Sequence, residues 1–352
     1  MLRTLLSEDL PKSRVLAFLL AAIVLALFLT PFLVPGAKAM GVAAKILVFV
    51  VLVASYDLLL GYTGIVSFAH TMFFGIGAYG VAIAFTRLGP SWGALAAGLA
   101  GAVLLSALLA FVIGLFSLRV RAIFYAMITL AVASAFQTLA SQLSDLTGGE
   151  DGLNFKVPEV LSPAFELHPD PVLGASLDGK LLTYYLVFAA AMLLFLAMLR
   201  IINSPFGRVL VAIRENDFRA EALGYRVVVY RTWSNVLAAV FATLAGSLLA
   251  LWLRYNGPDT SLSFEIMLDI LLMVVIGGMG TLYGALVGAA LFVVAQSYLQ
   301  DLLRLAHGAL EGVPVVSALA SPDRWLFWLG LLFVLSVYYF PAGIVGRLGN
   351  KR

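Results

Sequence analysis

Two ionisable side chains, Asp57 and His70, stand on either side of the short run Gly61-Tyr62-Thr63-Gly64 within apolar sequence. A titratable group in a segment long and apolar enough to span a membrane is a functional candidate by default, because keeping it there costs free energy. The pair is thin for catalysis. A membrane-embedded transferase would gather several His, Asp or Glu at one membrane face, whereas this sequence has three histidines and no cysteine. Without cysteine there is no disulfide framework, thiolate metal site or cysteine nucleophile. Both residues also fall near an expected span boundary, where snorkelling or a local hydrogen bond accounts for them, so a structural role is favoured over substrate contact.

Two phosphate-binding patterns fail on context. Gly75-Ile76-Gly77-Ala78-Tyr79-Gly80 spells G-x-G-x-x-G, but that chemistry needs a preceding strand, a tight turn and a helix N-terminus aimed at a pyrophosphate. Here the motif lies in an apolar run with no fitting acid about twenty residues on. Gly174 to Lys180 (GASLDGK) approaches a phosphate loop, yet Leu181 stands where a magnesium-binding Ser or Thr belongs. The expectation is that this chain carries no catalytic residues, metal or cofactor, and is not an ATPase.

Glycines have other uses in a membrane. Gly280, Gly284 and Gly288 recur every four residues, which would place them on one helical face for close packing, and Gly75, Gly77 and Gly80 could serve similarly. The alternative is that Gly61-Tyr62-Thr63-Gly64 and Gly277-Gly278-Met279-Gly280 break their spans into half-helices, exposing backbone groups to a solute path. On that reading the pathway candidates are Ser67, His70, Gly75, Gly77, Tyr79, Gly277, Gly278 and Gly280.

The segments that must hold these residues are long and apolar. The sequence is 62% hydrophobic and 12% charged over 352 residues, too little polar surface for a soluble chain of that length. Residues 15–34 contain no charge and are long enough to cross a hydrocarbon core. Further runs at 42–60, 64–86, 92–117, 121–143, 183–202, 233–253, 266–283, 285–303 and 325–342 bring the expected total to about ten transmembrane helices. The net charge of +3 comes from basic residues scattered singly, which argues against nucleic acid as a partner and for topology determinants. With the N-terminus inside, the cytoplasmic segments hold Arg3, Lys12, Arg14, Arg119, Arg121, six arginines between 200 and 231, Arg347, Lys351 and Arg352. The longest outward segment, 144–182, holds seven acids against Lys156 and Lys180. An all-α, polytopic bundle with both termini inside is therefore expected. A cleaved signal peptide is the competitor for the first span, because Ala37-Lys38-Ala39 mimics a cleavage site, but the apolar stretch exceeds a typical signal core.

Residues 1–352 read as a single transmembrane domain with two extramembrane segments of substance, the outer loop 144–182 and the inner loop 203–231. In the inner loop Ser204 is placed as N-cap, Pro205 at the first helical position and Gly224 at the left-handed end, predicting one helix over 205–223. Val209, Ala212, Ile213 and Leu223 would line its apolar side, with Arg208, Arg214, Glu215, Asp217, Arg219 and Glu221 left wet. Such a helix could rest on anionic lipid headgroups or dock a soluble partner, and the residues alone favour neither.

Four blocks resemble the LivM-type permease subunit of branched-chain amino-acid ABC importers. They are Gly61 to His70 (GYTGIVSFAH) with FFGIGAY, Leu146 to Leu153 (LTGGEDGL), SPFGRVLVAIREND running to Gly224, and Ile276 to Gly284 (IGGMGTLYG). A closing Phe340-Pro341-Ala342-Gly343-Ile344-Val345-Gly346 also fits. The resemblance implies a second homologous permease, two cytoplasmic ATPase subunits that bind ATP and magnesium, a periplasmic or lipid-anchored solute-binding protein, and a bacterial or archaeal cytoplasmic (inner) membrane. It implies that 203–231 is a coupling-helix loop, with Arg208, Arg214, Glu215, Asn216, Glu221 and Gly224 as docking contacts. Thr147, Gly148, Gly149 and Gly152 would shape the surface that meets the binding protein. Glu221-Ala222-Leu223 runs straight into Gly224, so the match to the general importer pattern E-A-A-x-x-x-G is partial. Relatives of the family resemble urea and short-chain amide permeases. An ion-coupled secondary transporter of small amino or organic acids is the other reading, weakened by the scarcity of acids within the later spans, where Glu265 and Asp269 stand at one boundary and Gln296 is only polar.

Overall fold

A computed structural model describes residues 13–34, 36–117, 122–172, 175–309 and 321–349. Arg3, Lys12, Arg119, Arg121, Lys351 and Arg352, used above for orientation, lie outside the described residues. Helices dominate: α1 (Arg14–Leu33), α2 (Ala37–Thr63), α3 (His70–Leu88), α4 (Trp92–Ser117), α5 (Ala122–Gln142), α6 (Gly179–Ile202), α7 (Pro205–Glu215), α8 (Asp217–Ala222), α9 (Val227–Leu253), α10 (Phe264–Gly277), α11 (Leu282–Ala309), α12 (Trp325–Tyr339) and α13 (Gly343–Gly349). Among the described residues ten helical stretches are long and apolar enough to cross a membrane.

The apolar sequence sorts into layers by what each helix can bury. α2 is hydrophobic all round and is enclosed from Ile46 to Leu59, as a central helix should be. It packs against α6, α9, α10 and α11, while α3 and α4 pack against α9. The outer helices keep large apolar side chains exposed, among them Leu104 and Leu108 on α4, Phe124 and Met127 on α5, and Leu326 and Phe327 on α12. A belt of such residues suits hydrocarbon, not water.

Between helices the contacts are small-residue seams joined by polar groups. A Cβ built on Gly77 would overlap the Thr243 carbonyl, and one on Gly246 would overlap that of Phe74, so α3 and α9 approach backbone to backbone. Thr243 Oγ1 lies 2.6 Å from Ser106 Oγ, Asn235 Nδ2 donates to the Ala110 carbonyl at 2.8 Å, and Ser247 Oγ donates to the Gly77 carbonyl at 3.1 Å. Apolar lipid gives helices no hydrophobic reason to associate, so close packing and such hydrogen bonds carry the assembly.

Among the described residues, strands are confined to one end of the bundle. Within 144–178, β1 (Leu153–Asn154) is followed by β2 (Glu166–Val172) and β3 (Ala175–Asp178), which pair antiparallel. β1 pairs with β4 (Tyr255–Asn256) in the register Leu153↔Asn256 and Asn154↔Tyr255. The opposite end carries residues 64–69, 203–226, 278–281 and 340–342.

Three sequence expectations are corrected. The glycine motifs do not divide single spans into half-helices: α2 ends at Thr63 and α3 begins at His70, and α10 ends at Gly277 before α11 starts at Leu282. Each motif is thus a connection between two complete helices. Gly280, with φ 80°, precedes α11 and shares no helical face with Gly284 and Gly288. The expected single helix over 205–223 is two, because Asn216 is extended (φ −163°, ψ 102°) and its side chain accepts from the Arg219 N–H to cap α8.

Candidate functional site

Four separated sequence blocks converge at the end that carries α7. α2 stops at Gly64, whose left-handed φ of 71° lets the Ile65 N–H close back on the Leu59 carbonyl at 3.0 Å. One turn earlier, Gly61 has no room for a side chain, because a Cβ there would strike Asp57 Oδ1 and the Gly280 nitrogen. Asp57 is 1% exposed, and its carboxylate accepts the Gly280 N–H at 2.9 and 3.1 Å. Gly278 and Gly280 adopt φ values of 116° and 80°, and Thr281 Oγ1 donates to the Gly278 carbonyl at 2.8 Å. Gly343 of the closing block presses on Gly278.

α7 joins this cluster. Ser204 caps it by accepting from the Gly207 N–H and Pro205 occupies its first turn, which is the start the sequence predicts. Leu210 and Ile213 are the buried anchors, whereas Ala212 and Leu223 are exposed, contrary to the sequence assignment of the apolar side. The turn at Asn216 redirects the chain into α8, leaving Leu223 73% and Phe218 79% exposed. From the α7 surface the Arg214 guanidinium reaches inward and donates to the Gly61 carbonyl. Arg208, Glu215, Asn216, Glu221 and Gly224 remain exposed. Phe206 stacks on Tyr230, and with Arg208, Val209 and Tyr225 they border a cavity of about 480 Å³ on this surface.

The other predicted residues are distributed through the bundle. Ser67 and His70 are buried, and His70 Nε2 lies 2.8 Å from Ser55 Oγ with its ring edge-on to Tyr56. Gly75 faces Leu262 and Gly77 faces Thr243, so both serve close packing. Gly277 backs onto Gly284. Tyr79 lines an apolar cavity of about 460 Å³ between α3, α4 and α5, and Thr147 lines its far end. At that end Gly148, Gly149 and Gly152 all have positive φ, and Thr147 Oγ1 donates to the Leu143 carbonyl at 2.7 Å. Gly152 meets the Asn256–Gly257 backbone so closely that a Cβ would not fit.

One constellation is not visible in the sequence reading. Lys45 Nζ donates to Gln296 Oε1 at 2.9 Å, and Gln296 Nε2 donates to Asp269 Oδ2 at 3.2 Å. By sequence Asp269 is only a boundary acid and Gln296 merely polar. The available signal is Lys45 inside a span, whose partners lie more than 200 residues away.

Among the described residues, ten helices of spanning length, helix connections built on glycine and an amphipathic helix tied into them make this a polytopic membrane protein. The chain belongs to the branched-chain amino acid transport system permease component family, whose model matches residues 38–337. It is similar to the high-affinity branched-chain amino acid transport system permease protein LivM of Salmonella typhimurium, at 26% identity over 88% of this chain and 74% of that protein. It is similar to the probable LivM of Methanocaldococcus jannaschii, at 25% identity over 69% and 67% of the two chains. The LivH permease protein of Salmonella typhimurium is 24% identical over 85% of this chain and 91% of its own length. No solved structure matches.

Proposed function

We propose that this chain is the translocation subunit of an ATP-driven importer for branched-chain amino acids, with α7 and α8 as its coupling helices. The carrying observation is that Arg214 on α7 donates to Gly61, one turn from the carboxylate that holds Gly280. A push on α7 is therefore felt at both glycine connections. The exposed Phe218 and Leu223, rimmed by Arg219 and Glu221, offer the apolar ridge and ionic edge that a docking helix uses.

In this reading both termini and α7 face the cytoplasm, two ATPase subunits bind ATP and magnesium there, and the 144–178 end meets a solute-binding protein. Its similarity to both LivM and LivH permeases supports pairing with a second, homologous permease. The energy of nucleotide binding shifts the helices between outward and inward openings.

The test is uptake of radiolabelled leucine by proteoliposomes holding the chain with its partner subunits, with and without ATP, for wild type and for Arg214→Glu combined with Glu221→Lys. ATP-dependent uptake abolished in the double variant, with the assembly intact, is the expected result. Uptake driven by an ion gradient alone would overturn the assignment, and transport of urea in place of leucine would redirect the substrate.

A further inference from the structure

At the end opposite α7, a cavity of about 550 Å³ opens between α2, α9, α10 and α11. Its mouth carries Lys38, Asp259 and Glu265, all exposed. Deeper in, Lys45 lies eight residues into α2, about 12 Å along the helix axis, and Asp269 lies five residues into α10. Both are half-buried. Among the described residues the ion pairs are Lys38–Asp301 and Arg231–Asp217, so Lys45 and Asp269 do not touch. The Gln296 amide bridges them, its oxygen toward the ammonium and its nitrogen toward the carboxylate.

Opposite charges in a membrane-embedded bundle usually pair directly, because half-desolvated charge is costly. Here they are held apart with capacity to spare. The Lys45 ammonium has three donors and gives one to Gln296, and the Asp269 carboxylate has further lone pairs beyond the one that Gln296 takes. Most of the remaining wall is apolar, from Val42, Phe49, Leu249, Trp252, Leu253 and Ile266, and the hydroxyl residues Thr260 and Ser263 complete it. A few converging polar groups in an apolar cleft are the mark of a small-molecule site.

We infer that this cavity binds a free aliphatic α-amino acid in the membrane domain, its carboxylate on Lys45, its ammonium on Asp269 and its side chain against the apolar walls. An α-amino acid joins the two charges through a single carbon, so it complements a separated pair, whereas urea and carboxylic acids lacking the ammonium do not. The inference rests on the importer reading for its biological sense and on the cavity for its chemistry. It assigns a subsite to Lys45, Gln296 and Asp269, which would accept the solute once it has entered from outside.

The test is binding of tritiated leucine to the complete assembly in nanodiscs without any solute-binding protein, beside ATP-driven uptake by the same preparation. Saturable binding is expected, competed by isoleucine and valine but not by 4-methylpentanoate or isopentylamine. Lys45→Met and Asp269→Asn should each weaken it about 10- to 100-fold, the loss of one charged hydrogen-bonding partner. Lys45→Arg should retain binding and so separate lost charge from lost fold, with assembly of each variant checked by size exclusion. Equal competition by 4-methylpentanoate, or binding unchanged in Lys45→Met and Asp269→Asn, would overturn the inference. So would a phosphatidylethanolamine that copurifies with wild type and is lost from the variants while leucine binding persists. Leucine uptake that survives both substitutions sinks the subsite and leaves the importer reading standing. Saturable binding lost in both variants, without ATP-driven uptake by wild type, keeps the subsite and sinks the importer reading.

Discussion

The Gly280 backbone N–H donates to both oxygens of the Asp57 carboxylate, at 2.9 and 3.1 Å, across a sequence separation of 223 residues. One turn along α2, the Gly61 carbonyl accepts from Arg214. The end of α2 is thus held between a side chain from α7 and the backbone of the connection between α10 and α11. Both contacts use backbone groups that a regular helix end leaves without partners or that a glycine turn exposes. Rearranging either connection requires breaking or carrying along the other.

Removing the carboxylate tests this directly. Asp57→Ala leaves the Gly280 N–H without its acceptor and is expected to destabilise the chain by about 1–3 kcal/mol. Asp57→Asn keeps one oxygen and should lose less. Tryptophan-fluorescence melting in detergent reads the difference, and an alanine variant that melts with wild type would contradict the structural role given to Asp57.

The α3–α9 seam makes a sharper prediction. Alanine at Gly77 or Gly246 would place a methyl group on the backbone of the facing helix, so both variants should lose folded, monodisperse protein in fluorescence-detected size exclusion. Gly330→Ala on α12, where nothing lies within 4 Å, should behave as wild type. Overpacking of a close seam commonly costs about 1–3 kcal/mol or more. A normal profile for both Gly77→Ala and Gly246→Ala would refute the backbone contact.

Much of this architecture is legible in the chain because lipid leaves few options. An apolar run of spanning length must be a helix, and ten such runs are visible directly. The capping residues Ser204 and Pro205 mark the start of α7 for local reasons, since a helix end satisfies its backbone from neighbouring residues. The break at Asn216 is hidden because asparagine is tolerated within a helix and declares itself a cap only when the chain turns. The glycine connections read as parts of spans since Tyr62, Ile65, Val66 and Phe68 are as apolar as the helices beside them. Lys45, Gln296 and Asp269 cannot be brought together from spacing, because their contact is set by how α2, α10 and α11 pack.

The far end of the bundle offers a separate test. Gly152 has a φ of 69° and abuts Asn256 and Gly257, and it leads into the Leu153↔Asn256 pairing. Gly152→Ala must push the 147–152 turn off β4. Amide hydrogen exchange at residues 153–156 and 255–257 should then rise, while exchange in α2 stays as in wild type. If the chain works in the proposed importer, the same variant should weaken stimulation of ATP hydrolysis by a loaded solute-binding protein. Unchanged exchange would show that the turn does not depend on glycine at this position.

The contact between Arg214 and Gly61 predicts how the two halves of the transport cycle separate. Arg214→Ala leaves the anchors Leu210 and Ile213 in place, so α7 should still sit on the bundle and the assembly should still form. The substitution removes the donor that ties α7 to the end of α2. If nucleotide-driven movement of α7 reaches the glycine connections through that bond, leucine carried per ATP hydrolysed should fall about 5- to 150-fold, the usual range of a coupling free energy between sites. Arg214→Lys keeps the charge but has a single donating centre in place of the planar fork, and it should fall between wild type and alanine. Paired measurement of uptake and phosphate release in the same vesicles gives the ratio. A ratio unchanged in Arg214→Ala would place the coupling path elsewhere on α7 and α8, with the exposed Phe218 and Leu223 the next residues to replace.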